Sequence, residues 1–290
     1  MLSCLASFFQ VLILAIVQGM AELLPVSSSA HVVVAEKLMG LDPSAPEMTL
    51  LLVMLHTGTM FAVILYFWKT WRDTYFSSAY VAKEFGVLLV LATAITGVIG
   101  EVLIKLIEKV ALRSSPAAEV EQLFGRLELI APALAAAGIL ILVAGLKERK
   151  RQAPPVPLGA RQASAIGAVQ GLCLPFRGFS RSGATISTGM LAGVAKEQAE
   201  KFSFALAVLL TPAAIGREAL RLLKASHGGG REALAAAFAP SLLGAALAFL
   251  AGLLALKWLS RWLETGRWYL FGIYCLLASA VVAALRLNGY

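Results

Sequence analysis

The sequence predicts an all-α integral membrane protein with six transmembrane helices plus two re-entrant helix-loop-helix hairpins, arranged as an inverted-topology repeat. Three observations predict it. The chain of 290 residues is 59% hydrophobic and only 14% charged, with a mean hydropathy of +0.80, whereas soluble proteins are roughly 45–50% apolar and 25% charged. Six apolar runs, about 48–68, 85–104, 127–146, 202–223, 234–256 and 268–287, approach the roughly 20 residues that cross a hydrocarbon core of about 30 Å. Finally, one polar segment occurs twice, half a chain apart: Val17-Gln18-Gly19 leads to Leu24-Pro25 and a serine cluster, and Val169-Gln170-Gly171 leads to Leu174-Pro175 and another.

The first apolar stretch, Leu2 to Leu24, has no basic residue before Lys37 and no small-residue cleavage pattern ahead of its polar end, so it is read as mature chain and not as a secretory leader. Residues 8–24 form a helix that Pro25 stops, because proline lacks the amide donor and clashes with the preceding turn. Ser27, Ser28 and Ser29 then offer N-cap oxygens for a second helix, about 30–39, that Gly40 terminates. About ten residues reach roughly 15 Å, half of the bilayer. This pair is a re-entrant hairpin, and with the next three spans it makes repeat one, residues 1–146.

A basic, Pro-rich connector follows at 147–161, with Lys147, Arg149, Lys150, Arg151 and Arg161 around Ala153-Pro154-Pro155-Val156-Pro157. Repeat two, 162–290, copies the plan. Its hairpin, 162–195, has a helix to about Leu174, a break at Pro175 to Gly178, Ser180 or Ser182 as cap, and a helix to about Ala195. A hairpin plus three spans is an odd number of crossings, so the two halves lie in opposite orientation and their broken segments meet near the midplane.

The net charge of +8 and pI near 9.6 do not imply nucleic acid, since the basic residues sit at span ends and in short loops without forming a patch. They read as topology determinants, which puts the connector in the cytoplasm and both termini outside. Cys4, Cys173 and Cys275 have neither disulfide nor metal spacing and read as buried thiols.

Half-helix N-termini carry unpaired N–H groups and the positive end of the helix dipole, so two that face one cavity bind an anion. Arg181 adds a fork of donors suited to phosphate, and Arg177 stands nearby. Charges at this depth cost roughly 3 kcal/mol each on insertion scales, so Glu22, Arg177 and Arg181 need a partner, which a phosphate-bearing ligand supplies. Gln18 and Glu22 share a helix face at i, i+4 and suit a divalent cation or a general base, or else simply glue helices together. Ser28 and His31, three apart, can act as nucleophile and proton-transfer group. His56 either lines the cavity or bonds a neighbouring helix, and His227 reads as solvated in its glycine-rich loop. Gly167 with Gly171 and Gly189 with Gly193 read as close-packing pairs, and Arg217 and Arg221 as snorkelling to headgroups.

The segment Gln18-Gly19-Met20-Ala21-Glu22 followed by Pro25-Val26-Ser27-Ser28-Ser29-Ala30-His31, with Gly178-Phe179-Ser180-Arg181-Ser182-Gly183-Ala184-Thr185, resembles the two signatures of bacterial undecaprenyl pyrophosphate phosphatases of the bacitracin-resistance type. The resemblance covers the whole chain. It implies hydrolysis of undecaprenyl diphosphate to undecaprenyl phosphate and phosphate in the bacterial inner membrane, recycling the lipid carrier of peptidoglycan synthesis. It also implies a divalent cation, Mg²⁺ or Ca²⁺, and a prenyl diphosphate lipid as substrate, with a homodimer left open and the site facing the periplasm. Carried over by position, Glu22, Ser28 and His31 are catalytic and Gln18 and Glu22 metal-binding, while Ser27, Ser180, Arg181, Ser182 and Thr185 bind substrate. Gln18 stands where many members have glutamate, and Pro175-Phe176-Arg177-Gly178 is one residue longer than the usual loop.

The expected reaction has Ser28 or, alternatively, His31 attacking the terminal phosphorus. The same architecture occurs in secondary transporters, so a flippase or transporter of a lipid phosphate or anion is the competing reading. An intramembrane serine protease is a remote third.

Overall fold

A capping box opens the first helix: Gln10 N donates to Ser7 Oγ at 3.4 Å and Ser7 N to Gln10 Oε1 at 2.7 Å. The computed structural model describes residues 6–22, 24–111, 123–225, 230–263 and 267–290, and side chains for all of these except 111, 222–225, 230–237 and 258–263. Cys4 and His227 lie outside the described residues, while Cys173 and Cys275 are free and buried.

Among the described residues ten helices run in order: α1 (Phe8–Ala21), α2 (Ser28–Leu38), α3 (Pro46–Tyr75), α4 (Ala79–Ala111), α5 (Leu127–Arg149), α6 (Ala160–Cys173), α7 (Arg181–Leu191), α8 (Lys196–Ala225), α9 (Gly230–Leu263) and α10 (Tyr269–Leu287). The two short pairs are copies in length: α1 and α6 each have 14 residues, α2 and α7 each have 11. None reaches the roughly 20 residues of a full crossing.

Three boundaries differ from the sequence expectation. Helix α1 ends at Ala21, short of Leu24, since Pro25 bars its predecessor from the helical region and unwinds the turn ahead of it. Helix α2 starts at Ser28, because Ser27 adopts φ 65, the one positive φ outside glycine among the described residues. Gly40 at φ 73 ends α2 as expected, but α7 stops at Leu191, where Gly193 at φ 92 turns the chain before Ala195.

Among the described residues six helices are long and apolar enough to cross a membrane: Pro46–Tyr75, Ala79–Val110, Leu127–Arg149, Lys196–Arg221, Phe238–Lys257 and Tyr269–Leu287. They turn large apolar side chains outward, among them Leu65 and Trp68 on α3, Val90 and Val98 on α4 and Leu277 on α10. This is a multi-pass membrane protein.

Helices of the first half pack on helices of the second. In the first half α1 packs on α9 of the second, and α6 of the second packs on α4 of the first. Helix α3 lies along α9, and α8 touches α4 in the corresponding way, while α5 and α10 pair with each other.

Small residues set these approaches. A Cβ at Gly167 would sit 2.4 Å from Ala92 O and one at Gly171 2.8 Å from Ile99 Cβ, which brings α6 against α4. At Gly58 it would sit 2.0 Å from Ala245 O, at the α3–α9 crossing. Gly58→Ala is therefore expected to lower stability by about 1–3 kcal/mol by forcing these helices apart, read as a lower Tm in detergent. Gly86→Ala, which meets nothing within 4 Å, should leave Tm in place.

Arg151 pins the connector to the turn after α7: it donates to Gly193 O, to Val194 O at 3.4 Å and to Pro154 O at 3.2 Å, and pairs with Glu148 at 3.2 Å. Arg221 does not snorkel. It donates to Thr49 Oγ1 at 3.0 Å and lies 3.6 Å from Glu218, tying α8 to the start of α3, while Arg217 is exposed.

Candidate active site

Glu22, the helical C-cap of α1 with its N–H still bonded to Gln18 O, turns its side chain inward with 4% of its surface exposed, and a carboxylate so buried has to be satisfied. It is, by both halves of the chain. Glu22 Oε2 accepts from Ser28 Oγ at 2.5 Å and from Gln18 Nε2 at 2.7 Å, and lies 3.4 Å from His56 Nε2. Glu22 Oε1 accepts from Arg181 Nη2 at 2.8 Å. A carboxylate from the first hairpin and a guanidinium from the second thus form one ion pair, and the two loops touch. A Cβ on Gly183 would lie 3.0 Å from Pro25 O.

One donor and one acceptor of the site are unused. Arg181 Nη1 and Gln18 Oε1 are both buried without a hydrogen-bond partner, and a buried guanidinium donor left unmade costs on the order of 1–3 kcal/mol or more. Helix α2 begins without a side-chain cap: Ser27 Oγ is 3.4 Å from Ser29 Oγ and bonds no amide of the first turn. The amides at its start therefore take no side-chain cap.

The other sequence-predicted residues divide. Ser180 is a cap, accepting from Gly183 N at 3.1 Å. Ser182 is buried in the first turn of α7. Thr185 Oγ1 donates to Arg181 O at 2.7 Å and lies 2.6 Å from Ser203 Oγ, bracing α7 against α8. His31 does not join Ser28: its Nδ1 lies 2.8 Å from Ser27 O and its Nε2 2.7 Å from Tyr274 Oη. The imidazole beside Ser28 is His56, whose Nε2 lies 3.4 Å from Ser28 Oγ and whose Nδ1 is held 2.8 Å from Leu52 O. A carbonyl only accepts, so Nδ1 carries a hydrogen, and Nε2 is the nitrogen turned to Ser28 and Glu22. Arg177 stands apart, its guanidinium 4.1 Å from the centre of the Phe124 ring.

The family profile described as bacitracin resistance protein BacA matches residues 11–281. The chain belongs to the BacA family. Similar proteins include undecaprenyl-diphosphatase 2 of Acinetobacter baylyi, 59% identical across 95% of this chain and 96% of that one. Undecaprenyl-diphosphatase 2 of Burkholderia thailandensis is 35% identical and undecaprenyl-diphosphatase 1 of Burkholderia pseudomallei 34%, each over 94% of both chains.

This BacA chain offers little to a metal by itself. Among the described residues no group of three or more His, Cys, Asp or Glu side chains converges. Gln18 turns its Nε2 to Glu22 and keeps its Oε1 buried without a partner, so an amide oxygen and a carboxylate stand on neighbouring side chains. That suits a small hard cation that takes the rest of its shell from substrate phosphates and water, as Mg²⁺ does.

Sequence reasoning left His56 undecided and passed over Tyr274 and Ser203. His56 is in a full span, where its neighbours Leu55 and Thr57 say nothing of the facing helix. Tyr274 is 243 residues from the histidine it bonds.

Proposed function

We propose that the protein is an undecaprenyl-diphosphatase that cleaves undecaprenyl diphosphate to undecaprenyl phosphate and inorganic phosphate, returning the carrier to peptidoglycan synthesis. One observation carries the reading: a buried guanidinium donor, Arg181 Nη1, lacks a partner on the same side chain that grips Glu22, which in turn takes a 2.5 Å hydrogen bond from Ser28. An anion seeker and an activated hydroxyl are held by one carboxylate.

In this mechanism the terminal phosphate settles against Arg181 and the uncapped start of α2, while the prenyl chain stays in lipid. Ser28 Oγ attacks the terminal phosphorus and its proton passes to Glu22 Oε2, the nearest acceptor, with His56 Nε2 the next. The phosphoanhydride bond breaks and undecaprenyl phosphate leaves with the bonding electrons. Water then attacks the phosphoserine, giving up a proton to the same side of the site, and phosphate departs as Ser28 regains its hydrogen. Ser28 is favoured over His31 because the His31 Nε2 lone pair is engaged by Tyr274. Ser27 shapes the turn, and Ser180, Ser182 and Thr185 seat Arg181. Gln18 and Glu22 are the residues that would hold a Mg²⁺ ion, which when bound neutralises phosphate charge.

The protein belongs in the bacterial inner membrane with the site open to the periplasm, the side opposite the basic connector of Lys147 to Arg161.

The test is phosphate release from undecaprenyl diphosphate by purified protein in detergent, with Mg²⁺ and then with excess chelator. Release that stops on chelation and resumes on adding Mg²⁺ is expected. Folded wild-type protein that binds the lipid but releases no phosphate would overturn the reading in favour of transport, which needs no nucleophile.

A further inference from the structure

Resting on that phosphatase reading, we infer that Tyr274, on the last helix and outside both signature segments, is a positioning residue that sets the Ser28 turn through His31. Helix α10 bonds the chain on both sides of Ser28 with two adjacent residues. Tyr274 Oη lies 2.7 Å from His31 Nε2, and the two rings stack at 5.7 Å between centres and 13° between planes. Cys275 Sγ donates to Pro25 O at 3.6 Å.

The direction of the bonds makes this a relay. His31 Nδ1 is 2.8 Å from Ser27 O, and since a carbonyl can only accept, Nδ1 carries the hydrogen. Nε2 of the neutral ring is then an acceptor and Tyr274 its donor. Ser27 O also receives Ala30 N at 3.1 Å and His31 N at 3.4 Å. All of this converges on the residue whose φ of 65 is the only positive value outside glycine among the described residues. Such backbone is sparsely populated and persists only where its surroundings over-determine it.

Ser28 is the next residue, so the direction of its hydroxyl follows from the peptide plane that Ser27 O defines. Tyr274 is 45% exposed and forms no part of the packed core. The hydroxyl therefore orients the imidazole without supporting the fold.

Tyr274→Phe keeps the stacked ring and removes the hydroxyl. Loss of one neutral hydrogen bond predicts a fall in kcat of about fivefold to tenfold, with KM within about twofold and Tm unchanged. His31→Ala should fall further, and adding Tyr274→Phe to it should change nothing more, because the second residue acts through the first.

A wild-type kcat in Tyr274→Phe, or effects that multiply in the double variant, would overturn the assignment. So would a fall confined to KM or accompanied by a lower Tm. A readout independent of turnover is the nitrogen-15 spectrum of His31 in detergent: a single Nδ1–H tautomer in wild type that becomes a mixture in Tyr274→Phe. A mixture already present in wild type sinks the inference. Absence of phosphate release from wild type would instead sink the phosphatase reading and leave the tautomer result standing.

Discussion

Ser28→Ala is expected to lower phosphate release by about a thousandfold or more, since the reaction loses the atom that attacks phosphorus. The fold should survive. Glu22 keeps Arg181 at 2.8 Å and Gln18 at 2.7 Å, so no buried charge is orphaned and Tm should move little. The chemistry of the intermediate discriminates further. Quenching wild-type turnover of substrate labelled on its terminal phosphate should leave label on Ser28, in an acid-stable ester. Acid-labile label on His31, with Ser28→Ala still active, would transfer the nucleophile to the histidine.

Arg181→Lys should cost almost as much, about a thousandfold in kcat/KM, on the scale of arginines that neutralise a transferring phosphoryl group. The guanidinium gives Nη2 to Glu22 and holds Nη1 spare, a division that one ammonium on a flexible stem does not reproduce. Arg181→Ala adds a stability defect, because it leaves the buried Glu22 carboxylate without its counter-charge, at about 3–5 kcal/mol. Adding Glu22→Gln should restore much of the lost Tm and none of the activity. Recovery of activity in that double variant would show that the pair is structural.

The spans were the most legible part of the chain. A hydrocarbon environment demands about 20 apolar residues wherever a helix crosses it, and α3, α4, α5, α8, α9 and α10 each contain or closely match a run read from the sequence. The breaks at Pro25 and Pro175 were equally plain, since proline acts on its own neighbours. The residues bordering each break were less so. Ser28 and Ser29 looked like caps, but a cap is defined by φ and ψ, and Ser27 takes a left-handed conformation that no local propensity favours. Helix α10 bonds Pro25 and His31 on either side of it, contacts that no local reading contains.

The histidines make the same point. Spacing alone allowed His31 to face Ser28, for three residues is nearly one turn. The structure gives that neighbourhood to His56, 28 residues away, and turns His31 toward Tyr274. Thr185 and Ser180 were recognised as part of the second signature, yet their hydroxyls serve Arg181 and the helix start.

What the sequence determined by itself is what local physics and solvent enforce: a membrane-spanning helical chain, two broken hairpins, and the residue types of an anion site with a nucleophile and a base among them. Only the tertiary structure decided which of those residues meet. Glu22 and Arg181 are 159 residues apart, and they pair because α1 packs on α9, α6 packs on α4 and both loops end in one buried volume, where an unpaired charge is intolerable. Period and propensity act over a few residues, whereas a salt bridge across the site depends on where every helix between its partners comes to rest.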